Sequence, residues 1–144
     1  MEAIVMKKEK DIYSVIFTRT EDKKDTYLIE VPQLEIYSEG YGLDNAIDMA
    51  RDSIGEKILV IESMGKSVPR IDYTISLEDS VFKGEGTQSL SYIDIDMTEF
   101  RKKHDNRTVR RNVTLPGWLD LEAKKAGINV SRVLQEALMQ KLNL

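Results

Sequence analysis

The sequence predicts an α+β protein of two modules: an N-terminal module with element order β-β-β-α-β, and a smaller strand-helix-helix module at the C-terminus. Three observations predict it. Short runs rich in β-branched and aromatic residues precede a long apolar stripe at helical spacing. A late alternating run and two short amphipathic stretches follow that stripe. The charge also changes sign along the chain. Residues 1–100 carry 11 basic and 21 acidic side chains, net −10, whereas residues 101–144 carry 10 basic and 4 acidic, net +6. Such a split implies an acidic module joined to one that meets an anion, often nucleic acid.

Residues 12–18 (IYSVIFT) read as the first strand and residues 27–31 (YLIEV) as the second, separated by the polar turn EDKKD. Pro32 ends the second, because proline has no N–H to give a ladder. A short third strand around residues 36–38 runs into Glu39-Gly40-Tyr41-Gly42. Leu43, Ala46, Ile47, Ala50 and Ile54 then fall at helical spacing, with Asp44, Asp48, Arg51 and Asp52 opposite. This amphipathic helix continues towards Ile61, where the periodicity blurs. Residues 63–88, punctuated by Gly65, Pro69, Gly84 and Gly86, read mostly as loop. Residues 89–96 (SLSYIDID) alternate as a late strand. One helix on the sheet would leave the second face free for a partner. Residues 97–106 read as a polar, basic connection, and the boundary between modules falls at about residue 104.

Composition excludes several functions. The 144 residues amount to one ordinary domain or two small ones. No run approaches the roughly 18 apolar residues of a membrane span, and the N-terminus (MEAIVMKKEK) lacks the pattern of a secretory leader. With no cysteine there are no disulfides, thiolate metal sites or cysteine nucleophiles, which fits a reducing cytoplasm. The single histidine, His104, gives no second imidazole for a metal. No cofactor is implied.

The C-terminal 38 residues carry most of the information. From Val109 to Leu115 the side chains alternate: Val109, Val113 and Leu115 point one way, with Arg111 interrupting the row, and Arg110, Asn112 and Thr114 the other. Pro116 stops the strand and starts a helix that ends at Gly127. Asn129 caps a second helix whose apolar stripe is Val130, Val133, Leu134, Ala137, Leu138 and Leu142. A piece this small, with a lone strand and no cysteine, needs oligomerisation to build a core. Two copies would pair strands antiparallel, interlock four helices and expose Arg110, Asn112 and Thr114 twice on one ribbon. A two-stranded ribbon fits the DNA major groove, where arginine reads guanine, asparagine reads adenine and threonine offers a hydroxyl and a methyl.

The run NVTLPGWLDLEAKKAGINVSRVLQEAL over residues 112–138 resembles the ribbon-helix-helix DNA-binding fold, the class of the Arc, MetJ and CopG repressors. That resemblance implies base reading by Arg110, Asn112 and Thr114. It also implies phosphate anchoring by Asn129 and the backbone N–H groups of Val130 and Ser131, at a helix start where donors are unpaired.

The whole chain is similar to the HicB-like antitoxins of type II toxin–antitoxin systems. Tyr27-Leu28-Ile29-Glu30-Val31-Pro32, the Glu39-Gly40 turn and the helix at 46–54 match that family's N-terminal domain, usually described as a partial ribonuclease-H-like fold. Where the family commonly shows a Pro-Asp-Leu-Pro-Gly type turn, this chain has Pro32-Gln33-Leu34-Glu35, and its 65–88 loop is longer. The resemblance implies a toxin-binding domain over residues 1–103 and a basic linker with a ribbon-helix-helix domain over 104–144. The implied function is that of a non-enzymatic antitoxin, which neutralises a small basic mRNA-cleaving toxin (HicA-like) and represses its own operon as a homodimer or higher oligomer on operator DNA. The acidic first module suits a basic partner.

Two other functions stay open on the residues alone. One is a ribbon-helix-helix transcription regulator whose N-terminal domain senses a small ligand, a soft-metal sensor being disfavoured by the residue inventory. The other is a nuclease, because Glu30, Asp94 and Asp96 are strand carboxylates and ribonuclease-H chemistry uses clustered carboxylates with two metals.

Overall fold

The computed structural model describes residues 10–144, so the first nine residues of the N-terminus inspected for a leader lie outside the described residues. The chain divides into a first unit reaching Asn106 and a second from Arg107 to Leu144. Strands β1 (Asp11–Thr20), β2 (Thr26–Val31), β3 (Ile36–Tyr41) and β4 (Gly86–Ile95) form one antiparallel sheet in the order β3-β2-β1-β4. The late strand pairs with the first along its whole length, Asp11 opposite Ile95 and Thr20 opposite Gly86.

Helix α1 (Leu43–Ser63) covers one face of the sheet. Alternation on the strands and helical spacing on α1 meet in one core: Tyr13, Val15, Phe17, Ile29, Val31, Ile93 and Ile95 beneath Ala46, Ala50, Ile54 and Ile58. Close packing requires glycine at Gly40 and at Gly55. A Cβ on Gly40 would lie 2.6 Å from Ala46 Cα, where α1 starts against β3, and one on Gly55 would meet the Phe100 ring at 2.5 Å.

That second contact explains a departure from the sequence reading. Residues 97–104 are a helix, α2 (Met97–His104), and no loose linker. Asp96 caps it by accepting from Glu99 N at 3.2 Å, and Met97 and Phe100 are buried one turn apart. His104 stacks on Phe100 with ring centroids 4.1 Å apart. Arg101 pairs with Glu62 on α1, and Lys102 with Glu99 at 3.0 Å. Part of the basic excess assigned to the C-terminal half therefore belongs to the first unit. From Arg107 onward there are 7 basic and 3 acidic side chains, net +4.

The second sheet face is not free, contrary to the expectation from a single packed helix. Ser14, Ile16, Thr18 and Glu30 on that face are all buried. The segment between α1 and β4, with a 3-10 turn at Leu77–Asp79, lies across it. Ser80 Oγ donates to Glu30 Oε2 at 2.8 Å, and Val81 N donates to Glu30 Oε1 at 3.3 Å. Gln88 Nε2 donates to both Ser80 Oγ (2.8 Å) and Thr18 Oγ1 (3.0 Å). Phe82 meets Tyr37 edge-on, with centroids 6.2 Å apart. A buried carboxylate with no donors would cost several kcal/mol, so this polar clasp is what lets Glu30 sit inside.

The second unit contains α3 (Gly117–Lys125) and α4 (Val130–Lys141), joined through Gly127 at φ +67°. Residues 109–115, read as a strand, are assigned to no strand. A single chain offers that segment no ladder partner.

Candidate functional site

The second unit leaves its apolar side chains uncovered. No residue of α3 or α4 is buried. Yet the apolar stripe is present: Leu119, Val133, Leu134 and Leu138 are exposed, as are Val113 and Leu115 on the preceding segment. Leu134 is 37% exposed and Leu138 52%, values of surface residues rather than of a core. Six such side chains, each about half exposed, would contribute on the order of 6 kcal/mol per copy if a partner buried them fully.

Charge is arranged around that stripe with a bias. Lys124 pairs with Asp120 at 3.2 Å, Lys125 with Glu122 at 3.9 Å, and Arg132 with Glu136 at 3.1 Å, all within their own helices. Among the described residues no acidic side chain pairs with Arg110 or Arg111, and both are exposed. The positive charge of Arg110 and Arg111 is thus available to an anion.

The residues expected to anchor phosphate, Asn129, Val130 and Ser131, stand at the start of α4. Asn129 Oδ1 accepts from Arg132 N at 3.1 Å, as an N-cap does. The cap uses the side-chain oxygen, leaving the Asn129 amide NH₂ and the first-turn N–H groups of Val130 and Ser131, which have no carbonyl within the helix. The predicted base readers Arg110, Asn112 and Thr114 are exposed and two residues apart, but one chain does not set them on a ribbon. Extended, they would be ~6.6–6.8 Å apart along the segment.

The carboxylates considered for nuclease chemistry are not brought together. Glu30 lies opposite Ile16 on β1 and Asp94 opposite Ile12 on the far side, so they are offset by about 13 Å along the strands alone. Glu30 is held by Ser80, and Asp96 caps α2. Asp94 pairs with Lys10 at 3.1 Å, while Arg51 Nε donates to its carbonyl at 2.9 Å. The Lys10 hydrogen bond, helped by Arg51, holds the Asp94 carboxyl below the usual range. No group of three His, Cys, Asp or Glu that could hold a metal occurs among the described residues.

For a small ligand, the first unit offers an open cleft of about 360 Å³ between the start of β1 and residues 68–73. Tyr13 Oη donates there to Pro69 O at 2.6 Å, and burial, with Asp11 nearby, pushes the phenol pKa up to about 12, so it remains a donor. No described helix is long and apolar enough to cross a membrane.

Comparison with known proteins reaches the fold. It resembles that of a chain in the toxin–antitoxin complex from Streptococcus pneumoniae, with a TM-score of 0.58 and 20% identity over 92% of this chain and 99% of that one. The antitoxin HicB of Burkholderia pseudomallei aligns over 92% of this chain and 97% of its own, at 21% identity and a TM-score of 0.47. No protein-family model and no curated protein matches the sequence.

The sequence reading missed the clasp that covers the second sheet face. Its signal was weak, because Ser14, Thr18, Glu30 and Ser80 are polar residues that any surface would accept.

Proposed function

We propose that this chain is the antitoxin of a toxin–antitoxin pair, of the HicB type. Its first unit binds and inhibits a small basic RNA-cleaving toxin, HicA-like. Its second unit dimerises as a ribbon-helix-helix module and binds operator DNA, repressing the operon. The observation that carries the DNA-binding half is the second unit's uncovered apolar stripe beside a segment that alternates Arg110, Asn112 and Thr114. A second copy supplies both what the stripe lacks and what the segment lacks, a core and a ladder partner. The ribbon then presents six base-reading side chains to a major groove, while the two α4 starts take backbone phosphates. Support for the toxin-binding half is the fold likeness to a chain of a toxin–antitoxin complex, together with the acidity of the first unit.

The test is a DNA-binding assay with the promoter region that precedes its own gene. Asn112→Ala is expected to cost ~1–3 kcal/mol per half-site and to relax base preference, whereas Ser131→Ala weakens binding to all sequences alike. Unchanged affinity and preference in Asn112→Ala would overturn the ribbon assignment.

A further inference from the structure

The first unit leaves an edge of its sheet open in a way that selects a partner. Strand β3 pairs with β2 on one side, and no described strand pairs with the other. Two hydrogen bonds establish which backbone groups face outward. Gly42 N donates inward to Asp25 O at 2.7 Å, whereas Tyr41 N donates outward, to the Asn45 side chain at 2.9 Å. By the two-residue period of a strand, the N–H and C=O groups of Tyr37 and Glu39 also point outward. Tyr37 is 55% exposed and Tyr41 67%, so two aromatic side chains flank the open backbone. Leu43, at the start of α1, adds a third exposed apolar group.

Charge narrows the occupant. Residues 25–50 contain six acidic side chains and no basic one. Glu30 is buried in the clasp; Asp25, Glu35, Glu39, Asp44 and Asp48 remain around β3 and the first turns of α1. Three of these have exposed partners at long range: Arg19 with Asp25 at 3.7 Å, Lys23 with Glu39 at 3.9 Å, and Arg51 with Asp48 at 3.6 Å. Pairs of that kind are worth little, and an incoming cation displaces them readily. The opposite edge differs. Residues 86–93 of β4 carry no charge, and the outer carbonyl of Asp94 is taken by Arg51. Proteins commonly protect an edge strand with lysine or proline, and β3 contains neither.

We propose that the β3 edge docks a strand of a basic protein by sheet extension, gripped between Tyr37 and Tyr41 and attracted by Glu35, Glu39 and Asp44. It rests on the antitoxin reading, and names the face on which the toxin is held. Backbone hydrogen bonds supply affinity, the tyrosines exclude water, and the acidic rim supplies encounter rate and rejects acidic strands.

The test uses the full chain and the purified product of the adjacent reading frame, with affinity measured by calorimetry. Tyr37→Pro removes an outward N–H and no ladder bond to β2; Glu39→Lys with Asp44→Lys inverts the rim. Each is expected to weaken binding at least about tenfold while thermal unfolding and DNA binding hold, and Tyr92→Pro on the β4 edge is expected to leave affinity within about twofold. Should Tyr37→Pro not fold, the lysine pair decides. Wild-type affinity in the folded β3 variants, or a loss confined to Tyr92→Pro, overturns the assignment of the surface and leaves the antitoxin reading standing. Absence of binding by the wild-type chain overturns the antitoxin reading itself, and with it the partner named here.

Discussion

In the dimer proposed for the second unit, replacing Leu138 by alanine should loosen the pairing and release the operator in one step. Leu138 lies on the α4 stripe and is 52% exposed in the single chain, so about half of its surface is left for a partner to cover. Full burial of a leucine contributes ~1.5–3 kcal/mol, so the half covered by a second copy is worth about 1 kcal/mol. Both copies lose it, giving about 2 kcal/mol per dimer. The cavity left in the seam raises this into the ~2–5 kcal/mol range typical of leucine-to-alanine changes. At 1.4 kcal/mol per tenfold, the dimer dissociation constant should rise by about 30-fold or more. Sedimentation equilibrium of the full chain measures it, and operator affinity should fall alongside, because half a ribbon has no ladder partner. A Leu138→Ala chain with wild-type dimer and operator affinity would refute the reasoning, since α4 would then not form the seam.

Further outcomes concern the first unit. Ser80→Ala removes the 2.8 Å bond to the buried Glu30 carboxylate and leaves it the weaker 3.3 Å contact from Val81 N; chemical denaturation should show a loss of ~1.5–3 kcal/mol. Gly55→Val drives a side chain into the Phe100 ring, which a Cβ alone would meet at 2.5 Å; overpacking should cost ~1–3 kcal/mol and strip α2 of its early hydrogen-exchange protection. Asp94 has its pKa lowered from 3.8, first by the Lys10 hydrogen bond, so its charged form stabilises the fold above that pH. The stability gap between wild type and Asp94→Asn should be constant at neutral pH and close as the pH falls below 3.8 through the lowered value, and acid titration of both unfolding curves checks it.

Periodic burial made much of this legible in the sequence. Residues 12–18 and 27–31 are rich in the β-branched and aromatic residues of buried strands, and 43–54 repeats at helical spacing because one face meets the core; the structure extends each by one to nine residues. Helix α1 continues past Gly55 to Ser63, since that glycine admits Phe100 and does not end the helix. Helix α2 was illegible for the complementary reason. Only Met97 and Phe100 anchor it, among five charged residues and His104 between positions 99 and 105. The clasp at Ser80 joins partners 50 residues apart through polar atoms, and no local pattern encodes that. For the candidate site, Asn129 was readable because capping is a local act, confirmed in the 3.1 Å bond from Arg132 N. The segment at 109–115 is readable only as an alternation, and in the single chain no strand is assigned to it.

The most direct measurement is an RNA-cleavage assay with the product of the adjacent reading frame, titrated separately with residues 1–106 and with residues 107–144 of this chain. The first fragment contains its own sheet, helices and core, and carries net charge −8. Cleavage should stop at about one equivalent of residues 1–106, with affinity falling as salt is raised, while residues 107–144 leave it untouched. Protection by residues 107–144 alone, or by neither fragment when residues 1–106 are folded, would contradict the assignment of toxin binding to the acidic unit.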